Sequence, residues 1–317
     1  MYKIKASHLK IQSLQVQINN AQYNFSPAKQ IITANGNKTI VWDANDSLVL
    51  KYLAENINYR NNFSKYCVSN KGKGGTLKAI KTVYRLLKTH KYIYKSDIKS
   101  FYNSINHKIL LSKLPAYTLP NECKLIAKHL DRIQWQDGEY VEIKQGISKS
   151  SPLSPVLGCI YLDELDKAME KLNIKYLRYA DDWIILAKTK HKLRKAVKKC
   201  KQILSKLQLK EHPDKTDYRN FNNPISKPFN FLGVEFNQNG AKDIKKQTKE
   251  NFSIKITRLY ECIQVIAKIK TKINTSYDNG ESLYKCLNML ELVLVKKFIK
   301  CLAGFGNYFK SITLVPS

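Results

Sequence analysis

Three carboxylates in two separate segments are the residues of this sequence best suited to chemistry. Asp181 and Asp182 stand side by side in YLRYADDWIILA (176–187), between two β-prone runs where we expect a hairpin turn. Asp97 lies in the strand-like segment KYIYKSDIKSF (91–101). Adjacent carboxylates repel each other unless a positive charge lies beside them, and a divalent cation would supply that charge.

If the predicted hairpin pairs beside the Asp97 strand, the three carboxylates meet at one edge of a single sheet. Oxygen ligands suit Mg²⁺. Two such ions about 3.5 to 4 Å apart activate an attacking hydroxyl and stabilise a leaving pyrophosphate. The alternative is that the Asp pair only forms a turn and that Asp97 only protects a sheet edge.

The charge of the chain predicts a polyanionic partner. The 317 residues include 55 Lys and Arg against 25 Asp and Glu, a formal net charge of +30. A chain this basic favours nucleic acid. Membrane insertion is not expected, because no apolar run approaches the roughly 18 to 20 residues of a span. The first residues lack the apolar core of a secretion signal, and the seven scattered cysteines favour reduced thiols in a cytoplasmic protein.

Short strands and amphipathic helices alternate along the chain, which predicts an α+β fold. A hairpin is expected from Ile31-Ile32 and Thr39–Trp42 around Asn35-Gly36-Asn37, and another strand pair at 229–236. Apolar spacing and capping residues predict helices that begin near Ala44, Thr76, Asn106, Val156 and Leu193, with two or three more in 242–317.

Taken in order, these segments resemble a reverse transcriptase of the bacterial, non-retroviral kind that includes group II intron, retron and defence-associated enzymes. The resemblance covers about residues 25 to 240, with a helical tail where the family has its thumb. It is carried by TIVWDANDSLVLKYL (39–53), DIKSFYNSINH (97–107), SPLSPVLGCIYLDELD (151–166), YADD (179–182), HPDKT (212–216) and FNFLGVEF (229–236).

The resemblance implies a right-hand polymerase that extends DNA from dNTPs on an RNA template with two Mg²⁺ ions, for which Mn²⁺ can substitute. An N-terminal segment and fingers would occupy residues 1–90, with a fingers insertion into the palm at about 115–145. An antiparallel palm sheet would occupy 91–240 and a helical thumb 241–317. The primer would be DNA or a protein hydroxyl. A structured non-coding RNA, a partner protein or a second copy of the chain is an expected partner.

The resemblance also assigns residues to tasks. Asp97, Asp181 and Asp182 would bind the metals, and Lys215 would donate a proton to the leaving pyrophosphate. Tyr102 resembles a steric gate against a ribose 2′-hydroxyl. Lys38, Lys149 and Ser151 would contact the nucleotide, and Phe231 and Gly233 the primer. The alternatives are ordinary packing for the aromatic rings and solvation for the lysines.

The chain departs from the family pattern before and within the helix that is predicted from Val156. The usual Gln-Gly aligns with Lys149-Ser150, or with Gln145-Gly146 if one residue is inserted. The Asn often found later in that helix aligns with Cys159. These departures leave open a polymerase that makes repetitive DNA without a conventional template. A maturase-like RNA-binding scaffold is the other alternative.

The segments GTLKAI (75–80) with DIKSFY, and SPLSP with YADDW, resemble most closely the stand-alone defence-associated enzymes. This part of the resemblance implies a task in protecting bacteria against phage.

Overall fold

The structure is a computed structural model that describes residues 13–33, 36, 38–70, 72–274 and 280–313. The chain divides into two compact units. The first consists of Met1–Ala79 with His90–Asn220, and the second of Ile80–Thr89 with Phe221–Ser317. Strands and helices mix in both units, as the sequence predicts. Among the residues described, no helix is long and apolar enough to cross a membrane.

A four-stranded antiparallel sheet lies at the centre of the first unit. Its strands stand in the order β6-β7-β3-β8. They are β3 (Tyr92–Asp97), β6 (Lys175–Tyr179), β7 (Asp182–Ala187) and β8 (Asp217–Asn220). Five of the six residues of β3 and of β7 are buried. A near-continuous apolar run such as WIILA in β7 is typical of a strand that is covered on both faces.

A second sheet in this unit joins segments that are distant in sequence. It consists of β1 (Ala28–Ile32), β2 (Lys38–Val41), β4 (Ile133–Gln136) and β5 (Glu139–Glu142), in the order β2-β1-β4-β5. Pairing of β1 with β2 confirms the arms of the predicted hairpin, whose tip residues 34, 35 and 37 lie outside the described residues. The β4–β5 hairpin was not predicted. It turns at Asp137-Gly138, where both residues have positive φ.

The helices of the first unit begin close to the predicted residues. Asn106 caps one of them, because its Oδ1 accepts a hydrogen bond from the Ile109 amide at 3.2 Å. The helix predicted from Val156 begins two residues earlier, at Ser154. Besides a helical stretch at 13–19, the helices include α1 (Ala44–Arg60), α2 (Gly75–Leu87, which extends into the second unit), α3 (Phe101–Ser104), α4 (His107–Lys113), α5 (Pro120–Leu130), α6 (Ser154–Lys171) and α7 (Lys190–Lys206).

The second unit combines a small sheet with two long helices. The strands β9 (Phe229–Phe231), β10 (Val234–Asn237) and β11 (Gly240–Ile244) pair antiparallel, which confirms the strand pair predicted at 229–236. Stacked rings of Phe221, Phe229 and Phe236 fill the core beside the sheet. The helices α8 (Lys246–Asn274) and α9 (Gly280–Thr313) pack on each other, and residues 275–279 and 314–317 lie outside the described residues.

Tyr23→Phe is expected to destabilise the protein, because Tyr23 anchors the N-terminal segment to α1. Its hydroxyl donates to Oδ1 of the buried Asp46 at 2.6 Å, and the Ser26 amide donates to Oδ2 at 3.2 Å. Loss of one donor to a buried carboxylate costs about 1–3 kcal/mol. Urea unfolding measures the change. Tyr59→Phe is the control, since Tyr59 is 92% exposed and its change should stay within about 0.5 kcal/mol.

Candidate active site

The register of the central sheet brings the three candidate acids together. Asp97, the last residue of β3, is paired directly with Asp182, the first residue of β7. Asp181 lies in the two-residue turn between β6 and β7, since Tyr179 pairs with Asp182. The three carboxylates therefore share one edge of a single sheet, as the sequence analysis predicts.

The turn that carries Asp181 has a strained backbone that is fixed by two hydrogen bonds. Ala180 has φ of 54°, a left-handed conformation that is unusual for a residue with a side chain. Its amide donates to Ser69 Oγ at 3.1 Å, and its carbonyl accepts from Arg178 Nη1 at 2.7 Å. Such strain persists only where the surrounding structure imposes it. The position of Asp181 therefore depends on Ser69 and Arg178.

Arg178 belongs to a buried network that the sequence analysis missed. Its Nε donates to Asp166 Oδ1 at 2.8 Å, and its Nη2 pairs with Asp166 Oδ2 at 2.5 Å. The Tyr176 hydroxyl also donates to Asp166 Oδ1, at 3.0 Å. Arg178 and Asp166 are each 1% exposed. The signal in the sequence is an arginine within an apolar strand, because such a residue requires a buried counterion.

Two of the carboxyl groups at this edge, those of Asp181 and Asp182, have raised pKa values. Burial first, and then the negative charge of Asp97, raise the pKa of Asp181 to about 6. Burial raises the pKa of Asp182 to about 7, although the nearby Lys95 ammonium opposes the rise. Raised carboxyl pKa values mean that the cluster needs more positive charge than the protein provides.

Two lysines supply the positive charge that is present. Lys215 Nζ donates to Asp97 Oδ2, a bond that raises the pKa of Lys215. Lys95 Nζ lies 3.6 Å from Asp182 Oδ1. The His212 amide donates to the Asp97 carbonyl at 2.7 Å, which fixes the 3-10 turn Pro213–Lys215 beside the end of β3. Lys215 is thereby held at the carboxylates by both backbone and side chain.

The donor set at this edge fits a divalent cation. Asp182 Oδ1 is buried and makes no hydrogen bond, and the Lys95 ammonium at 3.6 Å only partly neutralises it, because the pKa of Asp182 stays raised. As they stand, no three His, Cys, Asp or Glu side chains in the described ranges form a group that could hold an ion.

Tyr102 lies next to the acids in a half-buried position. Burial and the negative charge of Asp181 raise the pKa of Tyr102 to about 12. The Tyr102 carbonyl accepts from the Ile147 amide at 2.8 Å. Gly146 makes this contact possible: its φ is +81°, and a Cβ there would lie 2.9 Å from the Asn103 backbone. Gly146 therefore holds the 145–151 loop against Tyr102.

The residues predicted to contact the nucleotide or the primer differ in burial. Lys38 is exposed and pairs with Asp137 at 2.9 Å in the second sheet. Lys149 is exposed, whereas Ser151 is buried and its hydroxyl accepts from the Leu153 amide at 3.3 Å. Phe231 and Gly233 belong to the second unit. Phe231 is buried there, and Gly233 has φ of +81° in the β9–β10 turn.

An antiparallel sheet with carboxylates at the start of one strand and the end of its neighbour is the arrangement that the resemblance to reverse transcriptases implies. The sequence profile of the family described as reverse transcriptase (RNA-dependent DNA polymerase) matches residues 5–236. This chain belongs to the reverse transcriptase family.

Solved telomerase structures share this fold. The telomerase of Candida tropicalis bound to a TWJ fragment of telomeric RNA matches with a TM-score of 0.55 at 14% identity, over 89% of this chain and 55% of that one. The apo telomerase from the same organism matches with a TM-score of 0.52 at 16% identity, over 69% of this chain and 49% of that one. The telomerase of Candida albicans with its TWJ fragment matches with a TM-score of 0.51 at 13% identity, over 91% of this chain and 56% of that one. The chain thus spans about half the length of these proteins. No curated protein matches its sequence.

Proposed function

We propose that this protein is an RNA-directed DNA polymerase that extends a primer from dNTPs. The observation that carries the proposal is the register that sets Asp97 opposite Asp182, with Asp181 in the adjoining turn. These three carboxylates would hold two Mg²⁺ ions, and Mn²⁺ would substitute. When bound, the ions would lower the pKa of the attacking hydroxyl and offset charge on the leaving pyrophosphate.

Lys215 is the proton donor in this proposal. It is bonded to Asp97, and 54% of its side chain is exposed, so the ammonium can turn from the carboxylate toward a bound pyrophosphate. A proton delivered there makes pyrophosphate a better leaving group. Lys95, which is 9% exposed, remains beside Asp182 and partly neutralises it.

The remaining assignments follow the family pattern. Lys38, Lys149 and Ser151 would contact the triphosphate or template, and Phe231 and Gly233 would contact the primer. Fingers would occupy residues 1–90 with the insertion at about 115–145, the palm 91–240 and the thumb 241–317. The second sheet supports the fingers assignment, because it combines β1 and β2 from the first range with β4 and β5 from the insertion.

Tyr102→Ala is expected to raise the incorporation of ribonucleotides relative to deoxyribonucleotides. The half-buried ring stands close to Asp181 and would occupy the space that a 2′-hydroxyl needs. A steric contact of this kind is worth about 10- to 200-fold in discrimination. Single-turnover extension with dNTP and rNTP measures the ratio. Tyr102→Phe keeps the ring and should keep the wild-type ratio of ribonucleotide to deoxyribonucleotide incorporation. The same ratio in Tyr102→Ala and Tyr102→Phe would exclude a steric gate.

The cellular setting is part of the proposal. The segments that resemble defence-associated enzymes support a task in resistance to phage. The net charge of +30 supports a structured RNA as partner, with a partner protein or a second copy as further candidates. Six cysteines in the described ranges are free thiols, which supports a cytoplasmic location.

The polymerase assignment is tested by sequencing the nucleic acid that copurifies with the protein and the product made from dNTPs and Mg²⁺. A DNA product complementary to the bound RNA supports the proposal. A simple repeat unrelated to that RNA would instead indicate synthesis without a conventional template. Salt-sensitive RNA binding that survives Asp97→Ala, with no dNTP incorporation, would indicate an RNA-binding scaffold.

The defence assignment is tested separately, by phage plating on bacteria that carry the intact gene or its Asp181→Ala form. Resistance that depends on Asp181 supports it. Equal resistance in both strains would contradict it.

A further inference from the structure

Two thiols meet behind the turn that carries Asp181. The Sγ atoms of Cys67 and Cys159 are 3.6 Å apart, and the two residues are 0% and 4% exposed. Cys159 lies on α6, where this chain departs from the Asn of the family pattern. Cys67 forms a parallel β-bridge with Arg178 of β6. The Arg178 amide donates to the Tyr66 carbonyl, and the Val68 amide donates to the Arg178 carbonyl, both at 2.9 Å.

The segment 66–70 connects this thiol pair to the catalytic turn. The Ser69 hydroxyl accepts from the Ala180 amide at 3.1 Å. On its other side, Asn70 Oδ1 accepts from Cys159 Sγ at 2.8 Å. A change at the sulfurs is therefore transmitted through two or three residues to the backbone that positions Asp181.

The two sulfurs differ in acidity. The contact with Cys159, and then the positive charge of Arg178, lower the pKa of Cys67 to about 6, whereas the pKa of Cys159 is raised. A thiolate next to a thiol is the arrangement in which oxidation of the first is resolved by the second.

A cavity reaches Asn70, the residue that contacts Cys159. Asn70, whose side chain contacts Cys159, lines a cavity of about 490 Å³. Tyr59, which is 92% exposed, lines the same cavity and marks its solvent side. The Asn70 side chain therefore contacts Cys159 from a residue that lines the cavity.

We propose that Cys67 and Cys159 are a redox modification site, at which a hydroperoxide closes a reversible disulfide that lowers polymerase activity. The Cys67 thiolate attacks the peroxide O–O bond, so that Cys67 becomes a sulfenic acid and an alcohol, or water, is released. The Cys159 sulfur then attacks Cys67, the S–S bond forms, and the departing hydroxide leaves as water with the Cys159 proton. Two thiols and one hydroperoxide thus give one disulfide, one alcohol and one water.

The loss of activity follows from geometry and rests on the proposed function. A disulfide bond is about 2.05 Å long, so the sulfurs must approach each other by about 1.5 Å. Asn70 also loses the S–H donor of Cys159. Because segment 66–70 moves with Cys67, the turn bonded to Ser69 is displaced. A misplacement of about 1 Å at a catalytic group lowers the rate by about 10²-fold.

The test uses the full chain treated with hydrogen peroxide, followed by thiol alkylation and peptide mapping without reductant. A linked peptide containing Cys67 and Cys159 is expected, together with a loss of dNTP incorporation of about 10²-fold that dithiothreitol restores. Cys159→Ser should resist the oxidant. Cys200→Ser, which removes another buried thiol, should respond as the wild type does.

Free thiols at both positions after oxidation would overturn the proposal, and so would peroxide inhibition of Cys159→Ser equal to that of the wild type. The mapping needs no enzyme activity and is done on the wild type, so it does not depend on the folding of a variant. A linked peptide in a protein that never incorporates dNTPs would support the thiol pair while contradicting the proposed function.

Discussion

Asp181→Asn is expected to lower primer extension by about 10²- to 10³-fold, the usual cost of removing one preorganised electrostatic group. The same substitution is expected to raise the melting temperature of the metal-free protein. Both effects have the same origin. Asp181 is partly buried beside Asp97, and burial and repulsion raise its pKa. An amide removes this repulsion without a change of shape, and it also removes a metal ligand. Primer extension and thermal unfolding without divalent ions measure the two effects.

Asp214→Asn is the matched control for this prediction. Asp214 precedes Lys215 in the chain, but 88% of its side chain is exposed, so its removal should change neither activity nor melting temperature. An Asp181→Asn protein that extends primers at wild-type rate would contradict the assignment of Asp181. A lower melting temperature without metal would contradict the electrostatic account.

Arg178→Met is expected to destabilise the protein by about 3–5 kcal/mol, the usual cost of leaving one partner of a buried ion pair alone. The unpaired group would be Asp166, which is 1% exposed. The substitution also removes the donor to the Ala180 carbonyl, so the turn that carries Asp181 loses one of its two supports. We therefore expect primer extension to fall as well. Denaturant unfolding and extension kinetics measure the two losses.

The double variant Arg178→Met/Asp166→Asn separates stability from positioning. Removing the orphaned charge should restore much of the stability, because loss of both charges is far less costly than loss of one. Activity should stay low, since Ala180 still lacks its donor. Recovery of both stability and primer extension in the double variant would show that Arg178 acts only on stability. Glu164→Gln, on the same helix α6 as Asp166, is the control. The ion pair of Glu164 with Lys113 is partly exposed, so the loss of unfolding free energy should stay within about 1 kcal/mol.

Local patterns in the sequence predicted the strands at the site but not all their ends: the strand-like segment 91–101 ends at Asp97, and Phe101 begins α3. The β-prone runs that end at Tyr179 and begin at Trp183 predicted the β6–β7 hairpin, and its turn is one residue shorter than predicted because Asp182 begins β7. The resemblance to a known family supplied the pairing beside Asp97. Helix starts were also local, as Asn106 illustrates with its capping bond.

Contacts between distant segments account for what the sequence analysis missed. The Arg178–Asp166 pair and the Cys67–Cys159 contact each join residues whose neighbours in sequence give no hint of the partner. The parallel pairing of β1 with β4 is equally non-local. The β4–β5 hairpin is different, because Asp137-Gly138 is a strong hairpin signal that was available in the sequence.

The central claim is that Asp97, Asp181 and Asp182 form one metal site. A count of bound Mn²⁺ by electron paramagnetic resonance, with a primer–template and a dNTP present, tests it most directly. We predict two bound ions in the wild type, two in Asp214→Asn, and the loss of at least one in Asp97→Asn. An unchanged count in Asp97→Asn would contradict the claim.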